Sequence, residues 1–334
     1  SARGSAPLLA PMHSARSSWA QLSDGAPAAR SLGTVGAPQP ASFEALDISG
    51  VLDRFELVRT RFVPERGLTA TLYRHKATSA EVLSIDAPDE NKVFSCNFRT
   101  LPKDDTGVPH ILEHSVLCGS RRYPLKEPFV ELLKGSLKTF LNAMTGPDRT
   151  MYPVASQNKQ DFFNLVSVYL DACLFPRVLD PVEGPRILKQ EGWHYDVDDA
   201  EGPLKYKGVV FNEMKGVYSS PDQLHYRALK KALFRGHPIY AIDSGGDPRS
   251  IPTLTYDAFA DFHRRYYHPS NAKIYVYGDE AELPTAERLA LLESWLAEFG
   301  SSRGGGDEQI PWQPAEPEPY EVSEPCPAGA AAAA

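Results

Sequence analysis

The segment His110-Ile111-Leu112-Glu113-His114 places two imidazoles and a carboxylate on about one helical turn. Residues four apart share one side of a helix, so both histidines can reach one ion, and the glutamate at the third offset stays near the same face. The order is HxxEH, the reverse of the commoner HExxH arrangement of zinc hydrolases. A hydrolytic zinc takes three protein ligands and a water, and that water must meet a base. His110 and His114 are two candidate ligands and Glu113 the candidate base; the third ligand must come from elsewhere. The same spacing also arises by chance on solvated helices, so five residues do not decide the matter alone.

Glu213 is the candidate third ligand. In the stretch KYKGVVFNEMKGVYSS, a helix over 206–218 would carry Tyr206, Val210, Glu213, Met214 and Val217 on one face, apolar except for Glu213. A lone carboxylate on such a face is costly unless it meets a metal or a partner charge. The competing reading is a surface glutamate paired with Lys205 or Lys215. A metal-bound imidazole passes its other N–H to a carboxylate or carbonyl; Glu127, Asp161 and Glu191 are available acids that the sequence does not rank. Tyr226, His237, His263 and His268 are further residues that invite a ligand reading. His237 and His268, each followed by proline, read instead as turn residues.

Several elements must position these groups. Thr69–Tyr73, Ala80–Asp86 and Lys92–Arg99 read as strands, the last with Phe94, Cys96 and Phe98 alternating onto one face. Gly107-Val108-Pro109 opens the helix bearing His110, proline being suited to a first turn. A short helix is expected at Pro128–Leu133, stopped by Gly135. KTFLNAMT (138–145) reads as a strand, TGPDRT as a turn and MYPVAS as its return. Further helices are expected at Asp161–Leu174, Asp257–Tyr267 and Glu282–Phe299, with a strand at Lys273–Tyr277. Hairpins and helices without steady βα alternation predict an α+β fold.

The bulk composition fits this picture. The chain has 334 residues, 42% hydrophobic and 23% charged, with formal net charge −8 from 35 Lys and Arg against 43 Asp and Glu. That balance argues against a nucleic-acid surface and suits attraction of basic peptides. No apolar run reaches the roughly 18 residues of a membrane span. Cys96, Cys118, Cys173 and Cys326 form no CxxC pair, which leaves neither a sulfur-rich zinc site nor a disulfide framework. No GxSxG element offers a serine nucleophile. Residues 1–43 are rich in Ser, Ala, Pro and Gly, with Arg3, Arg16 and Arg30 against Asp24, and read as a disordered, targeting-peptide-like segment. Residues 44–300 hold the structured domain, and 301–334 read as linker or tail.

Beyond these patterns the chain resembles the presequence protease family, pitrilysin-like zinc metallopeptidases of the inverzincin class. The resemblance is carried by HILEHSVLCGSRRYPLKEPFVELLKGSLKTFLNAMTGPDRTMYPVASQNKQDFFNLVSVYLDACLFP, LKYKGVVFNEMKG and FHRRYYHPSNAKIYVYGD, and covers about residues 50–320. It implies a pitrilysin/LuxS-like fold, with a mixed, mainly antiparallel sheet packed against helices. It implies one zinc ion held by His110, His114 and Glu213, with Glu113 activating water. It also implies endopeptidase action on cleaved organellar targeting peptides and other short unstructured peptides, in the mitochondrial matrix or chloroplast stroma.

Family members have two homologous halves around a chamber, and an arginine and a tyrosine of the second half stabilise the reaction intermediate. This chain resembles the N-terminal portion only, so the missing C-terminal half or another chain is an expected partner. A binding or structural subunit of the same fold, inactive without a second half, is the alternative. The strand around 140–145 would hold extended substrate by backbone pairing, with Asn142 and Ala143 at the binding edge; the alternative is a fully paired interior strand.

Overall fold

The computed structural model describes residues 46–124, 134–197 and 202–299. The expected helix at Pro128–Leu133 and Glu127 lie outside them.

Four strands open the fold: β1 (Phe55–Val63), β2 (Leu68–His75), β3 (Glu81–Asp86) and β4 (Lys92–Arg99). Helix α1 (Val108–Val116) follows, then β5 (Lys138–Leu141), β6 (Met144–Thr145), β7 (Arg149–Ser156) and helix α2 (Lys159–Leu174). Helix α3 (Glu183–Ile187) runs into a π-helical turn at Leu188–Gly192. A two-stranded ribbon, β8 (His194–Asp196) with β9 (Lys205–Lys207), leads to helices α4 (Val209–Val217), α5 (Pro221–Leu233) and α6 (Tyr256–Tyr266). Strand β10 (Ala272–Gly278) and helix α7 (Thr285–Leu296) complete the described chain.

The main sheet has the order β1-β2-β3-β10-β4-β7-β5, with β6 also on β7. Among the described residues only β10 with β3 is a parallel pair; β10 lies antiparallel to β4 on its other side. This is the mixed, mainly antiparallel sheet of an α+β fold that the sequence predicts. Strand β4 buries Lys92, Phe94, Cys96 and Phe98 on one face and leaves the alternate residues half-buried. On the buried face α2 packs against β4 and β7, and Phe94, Phe98, Tyr152, Val154, Phe162 and Tyr169 form much of the core. Lys92 shares that face because its Nζ donates to the carbonyls of Glu90 and Gln157 and pairs with Glu282. Helix α2 begins at Asn158, whose side chain accepts from the Asp161 amide at 2.9 Å, so the helix starts two residues before the expected Asp161.

Two expected elements come out differently. The strand over 138–145 is broken, with Asn142 and Ala143 between β5 and β6. The helix over 206–218 starts only at Val209, because Lys205-Tyr206-Lys207 pairs instead with His194–Asp196. Tyr206 therefore belongs to the ribbon, where its ring stacks on Tyr195, and not to the face of Glu213.

Gly208 makes the change from ribbon to helix. It has φ +154°, and a Cβ there would collide with the Gly192 carbonyl oxygen and lie 2.9 Å from Trp193 Cα. The backbone before α4 thus rests directly on the end of the π-helical turn. Gly208→Ala is expected to lower the unfolding free energy by about 2 kcal/mol or more, since rigid backbone must move to admit the methyl group. Urea unfolding of wild type and variant checks this, and a variant within experimental error of wild type would contradict the close approach.

Candidate metal centre

Helix α1 is an interior helix: of its nine residues only His110 is not buried. A chance pattern on a solvated helix is thereby excluded. Gly107 precedes it at φ +70°, and a Cβ at that position would stand 2.7 Å from both the Gly245 carbonyl oxygen and Gly246 Cα. The loop at 243–247 consequently lies on the helix N-terminus. From there the Gly245 carbonyl meets His110 Nδ1 at 3.0 Å. A carbonyl can only accept, so Nδ1 carries the proton and Nε2 presents its lone pair.

The two imidazoles stand with ring centroids 5.0 Å apart and planes at 76°. Glu213, on α4, brings Oε2 to 3.8 Å from His110 Nε2 and 3.8 Å from His114 Nε2. The three ligand atoms lie within 4.8 Å of one another, and among the described residues these three form the cluster able to hold a metal ion. Zinc–ligand bonds of about 2.0–2.2 Å in a tetrahedral site separate the ligand atoms by roughly 3.4 Å. The two 3.8 Å separations from Glu213 are close to that value and too wide for direct hydrogen bonds. Oε2 of Glu213 is itself buried and has no hydrogen-bond partner. Donor set, spacing and this orphaned oxygen together fit a single zinc ion.

The electrostatics point the same way. His114 Nδ1 faces Oε2 of buried Glu191 at 3.5 Å, and Gln190 Nε2 donates to the other Glu191 oxygen at 3.1 Å. Burial pushes the His114 imidazole down, but the Glu191 contact and the charges of Glu113, Glu191 and Glu213 outweigh it, so its pKa stands above the ordinary histidine value. Three carboxylates around two imidazoles favour positive charge at this spot, and a metal ion would compete with protons for it. Glu113 is buried on the same helix and lies outside the three-residue cluster.

The other candidates sort themselves by position. Of the acids considered for orienting the imidazoles, Glu191 faces His114, whereas Asp161 accepts from the hydroxyls of Ser136 and Ser156 at the start of α2. His263 is fully buried, holds the Cys173 carbonyl at 2.9 Å and is pushed down to about 4 by burial, which makes it a neutral core residue. His237 Nδ1 accepts from the amides of Ile239 and Tyr240, and His268 Nδ1 from that of Ser270, so both cap turns. Tyr226 is exposed on α5. Asn142 donates its amide to the Pro153 carbonyl at 3.1 Å and Ala143 is buried; both lie in the break of the outermost strand, and α1 packs against the adjoining β6.

Sequence reasoning does not reach the Gly245 carbonyl or the π-helical turn that carries Glu191. A Gly-Gly pair between Asp243 and Asp247 is the available signal for the first; a π turn, common near functional sites, leaves none in a hydrophobic pattern.

The chain is similar to several known proteins. A family profile described as Peptidase M16 inactive domain matches residues 253–328. Presequence protease 1, chloroplastic/mitochondrial, of Arabidopsis thaliana is 54% identical over 275 residues, covering 82% of this chain and 25% of that protein. Protein HypA of Clostridium perfringens is 53% identical over 231 residues, 69% of this chain and 23% of its own length. The chain thus spans about a quarter of the length of these curated relatives. The crystal structure of pitrilysin superposes with a TM-score of 0.56 at 19% identity, over 77% of this chain and 26% of that one, and so shares the fold. The chain belongs to the presequence protease family, a pitrilysin-like branch of the M16 peptidases.

Proposed function

We propose that this chain is the metal-holding part of a zinc endopeptidase that cleaves short, unstructured peptides, cleaved organellar targeting peptides among them. The observation that carries the reading is the convergence of His110, His114 and Glu213 within 4.8 Å beside buried Glu113. His110, His114 and Glu213 hold one zinc ion. When bound, zinc would supply Lewis acidity, polarising a scissile carbonyl and lowering the pKa of its bound water toward about 7. Glu113 accepts the proton of the attacking water on a carboxylate oxygen and returns it to the leaving amine. Glu191 holds the His114 ring, and the Gly245 carbonyl fixes the His110 tautomer.

Substrate pairs with the outer edge of the β5–β6 strand, at Asn142 and Ala143. Strand β5 ends the sheet order, so one side is paired to β7 and the other carries no strand among the described residues. Backbone pairing of this kind holds extended peptides with little regard to sequence. Residues 44–300 form the peptidase domain, flanked by a targeting-like segment at 1–43 and a linker or tail at 301–334. A second half, or another chain, closes the site from the opposite side. The name of the Arabidopsis relative supports a mitochondrial or chloroplast location.

Glu113→Gln is expected to keep bound zinc at the wild-type level while peptide turnover falls about 10²–10⁴-fold, the usual worth of a positioned acid–base group. Zinc content and turnover are measured on the same preparations of the active assembly. Unimpaired turnover removes Glu113 from the base role, and lost zinc makes it structural.

Residues 1–334 alone are expected to cleave a basic unstructured peptide slowly, and faster once a C-terminal half is supplied. Each preorganised donor from an opposing wall is worth about 10²–10³ in rate. Equal rates with and without the added half would show that a closed chamber is unnecessary, and zinc bound without any cleavage in either case would favour a binding subunit.

A further inference from the structure

Asp243 belongs to no ligand set, yet it joins the two helices that carry the zinc-holding residues. Its Oδ2 accepts from the Tyr218 hydroxyl at 2.8 Å and from Arg227 Nε at 2.5 Å, and its Oδ1 accepts from the Gly245 amide at 3.1 Å. Tyr218 is the C-terminal cap of α4, the helix of Glu213. Gly245 supplies the carbonyl that meets His110 Nδ1. The loop is anchored from below as well: the Asp243 amide donates to Asp105 Oδ1 at 2.7 Å and the Asp247 amide to the Asp105 carbonyl at 2.8 Å. The Asp243 side chain is only 13% exposed, so water does not readily replace these partners.

We propose that Asp243 is a positioning residue for the metal centre, fixing the His110 tautomer through Gly245 and the Glu213 helix through Tyr218. The inference rests on the zinc reading above. The position calls for a carboxylate because three donors converge on it, from three directions of the chain. An amide has one acceptor oxygen. Turned toward Tyr218 and Arg227, that oxygen deserts the Gly245 amide and frees the carbonyl against His110. Turned toward Gly245, it leaves an NH₂ facing two donors and loosens the end of α4. Either way one of the two ligand-bearing helices loses its hold, with the metal ligands themselves unaltered.

The test uses the full chain with Zn²⁺, measured by chelator competition, and with Co²⁺, whose visible absorption reports ligand geometry. Asp243→Asn is expected to weaken Zn²⁺ binding about 10–100-fold, the usual effect of losing a group that orients a ligand. Its Co²⁺ spectrum shifts, and the His110 Nδ1 proton exchanges faster with solvent in the metal-free protein. Asp247→Asn serves as the control. Asp247 is buried in the same loop but its side chain bonds only to Arg249, so metal affinity and spectrum stay at wild type.

His110→Ala separates the two levels of inference. Undiminished zinc affinity in that variant refutes the metal site itself. Loss of zinc there, with wild-type affinity in Asp243→Asn or equal losses in Asp243→Asn and Asp247→Asn, overturns only the role of Asp243. Should Asp243→Asn fail to fold, Tyr218→Phe removes the tie to α4 and leaves the loop intact. Weakened zinc binding with a slowly exchanging His110 Nδ1 proton then supports the proposal, and wild-type affinity overturns it.

Discussion

The centre depends on bringing two helices, far apart in sequence, close enough for side chains of limited reach to share one ion. His110 and His114 sit on α1 and Glu213 on α4, and Oε2 of Glu213 stands 3.8 Å from both imidazoles. Two places where backbone touches backbone make that approach possible. Gly107 lies on Gly245 and Gly246 at the start of α1, and Gly208 lies on Gly192 at the start of α4. Glycine serves at both because no side chain has to be accommodated between the two layers. The shape of the site is thus set by main chain, and the ligands only extend from it.

A second constraint is electrostatic. Glu113 and Glu191 are buried and Glu213 is partly so, while only two imidazoles stand among them. Burying carboxylates is costly without compensating charge. Burial alone would push the His114 pKa down, and the Glu191 contact with the charges of Glu113, Glu191 and Glu213 raises it above the ordinary histidine value. The carboxylates thus favour positive charge beside the imidazoles, whether carried by a proton or by a metal ion.

Much of this is legible in the sequence, and the reasons differ from element to element. Strand β4 shows because one face is buried and the other is not, which writes a period of two into Phe94, Cys96 and Phe98. Helix α2 shows through its apolar stripe, and α1 through proline placement and motif spacing. Strand β1 does not show because nearly all of it is exposed, which leaves no alternation to read. The start of α4 is misplaced by the sequence pattern because Tyr206 is apolar enough to extend a helical stripe, while its actual partner, Tyr195, is fixed only by tertiary pairing. His110, His114 and Glu213 can be named from residue types, spacing and the family resemblance. The Gly245 carbonyl cannot, since a backbone acceptor has no letter of its own. Glu191 can be nominated but not ranked, because its position depends on an extra residue in one helical turn.

The place of β10 has a consequence for how the chain is made. Strands β1, β2 and β3 form one antiparallel group and β4, β7 and β5 another, and they meet only through β10, where Lys273 pairs with Glu81 on one side and Asn97 on the other. During synthesis, β3 and β4 each expose an unpaired edge until a strand from far downstream leaves the ribosome. Closing so long a loop is slow, and open edges in the interval invite pairing with other chains. A ribosome that stops before residue 272 releases a chain whose β1–β3 and β4–β7–β5 groups have no strand to join them. Completion of the sheet is therefore gated by a strand that carries none of the residues of the His110, His114 and Glu213 cluster.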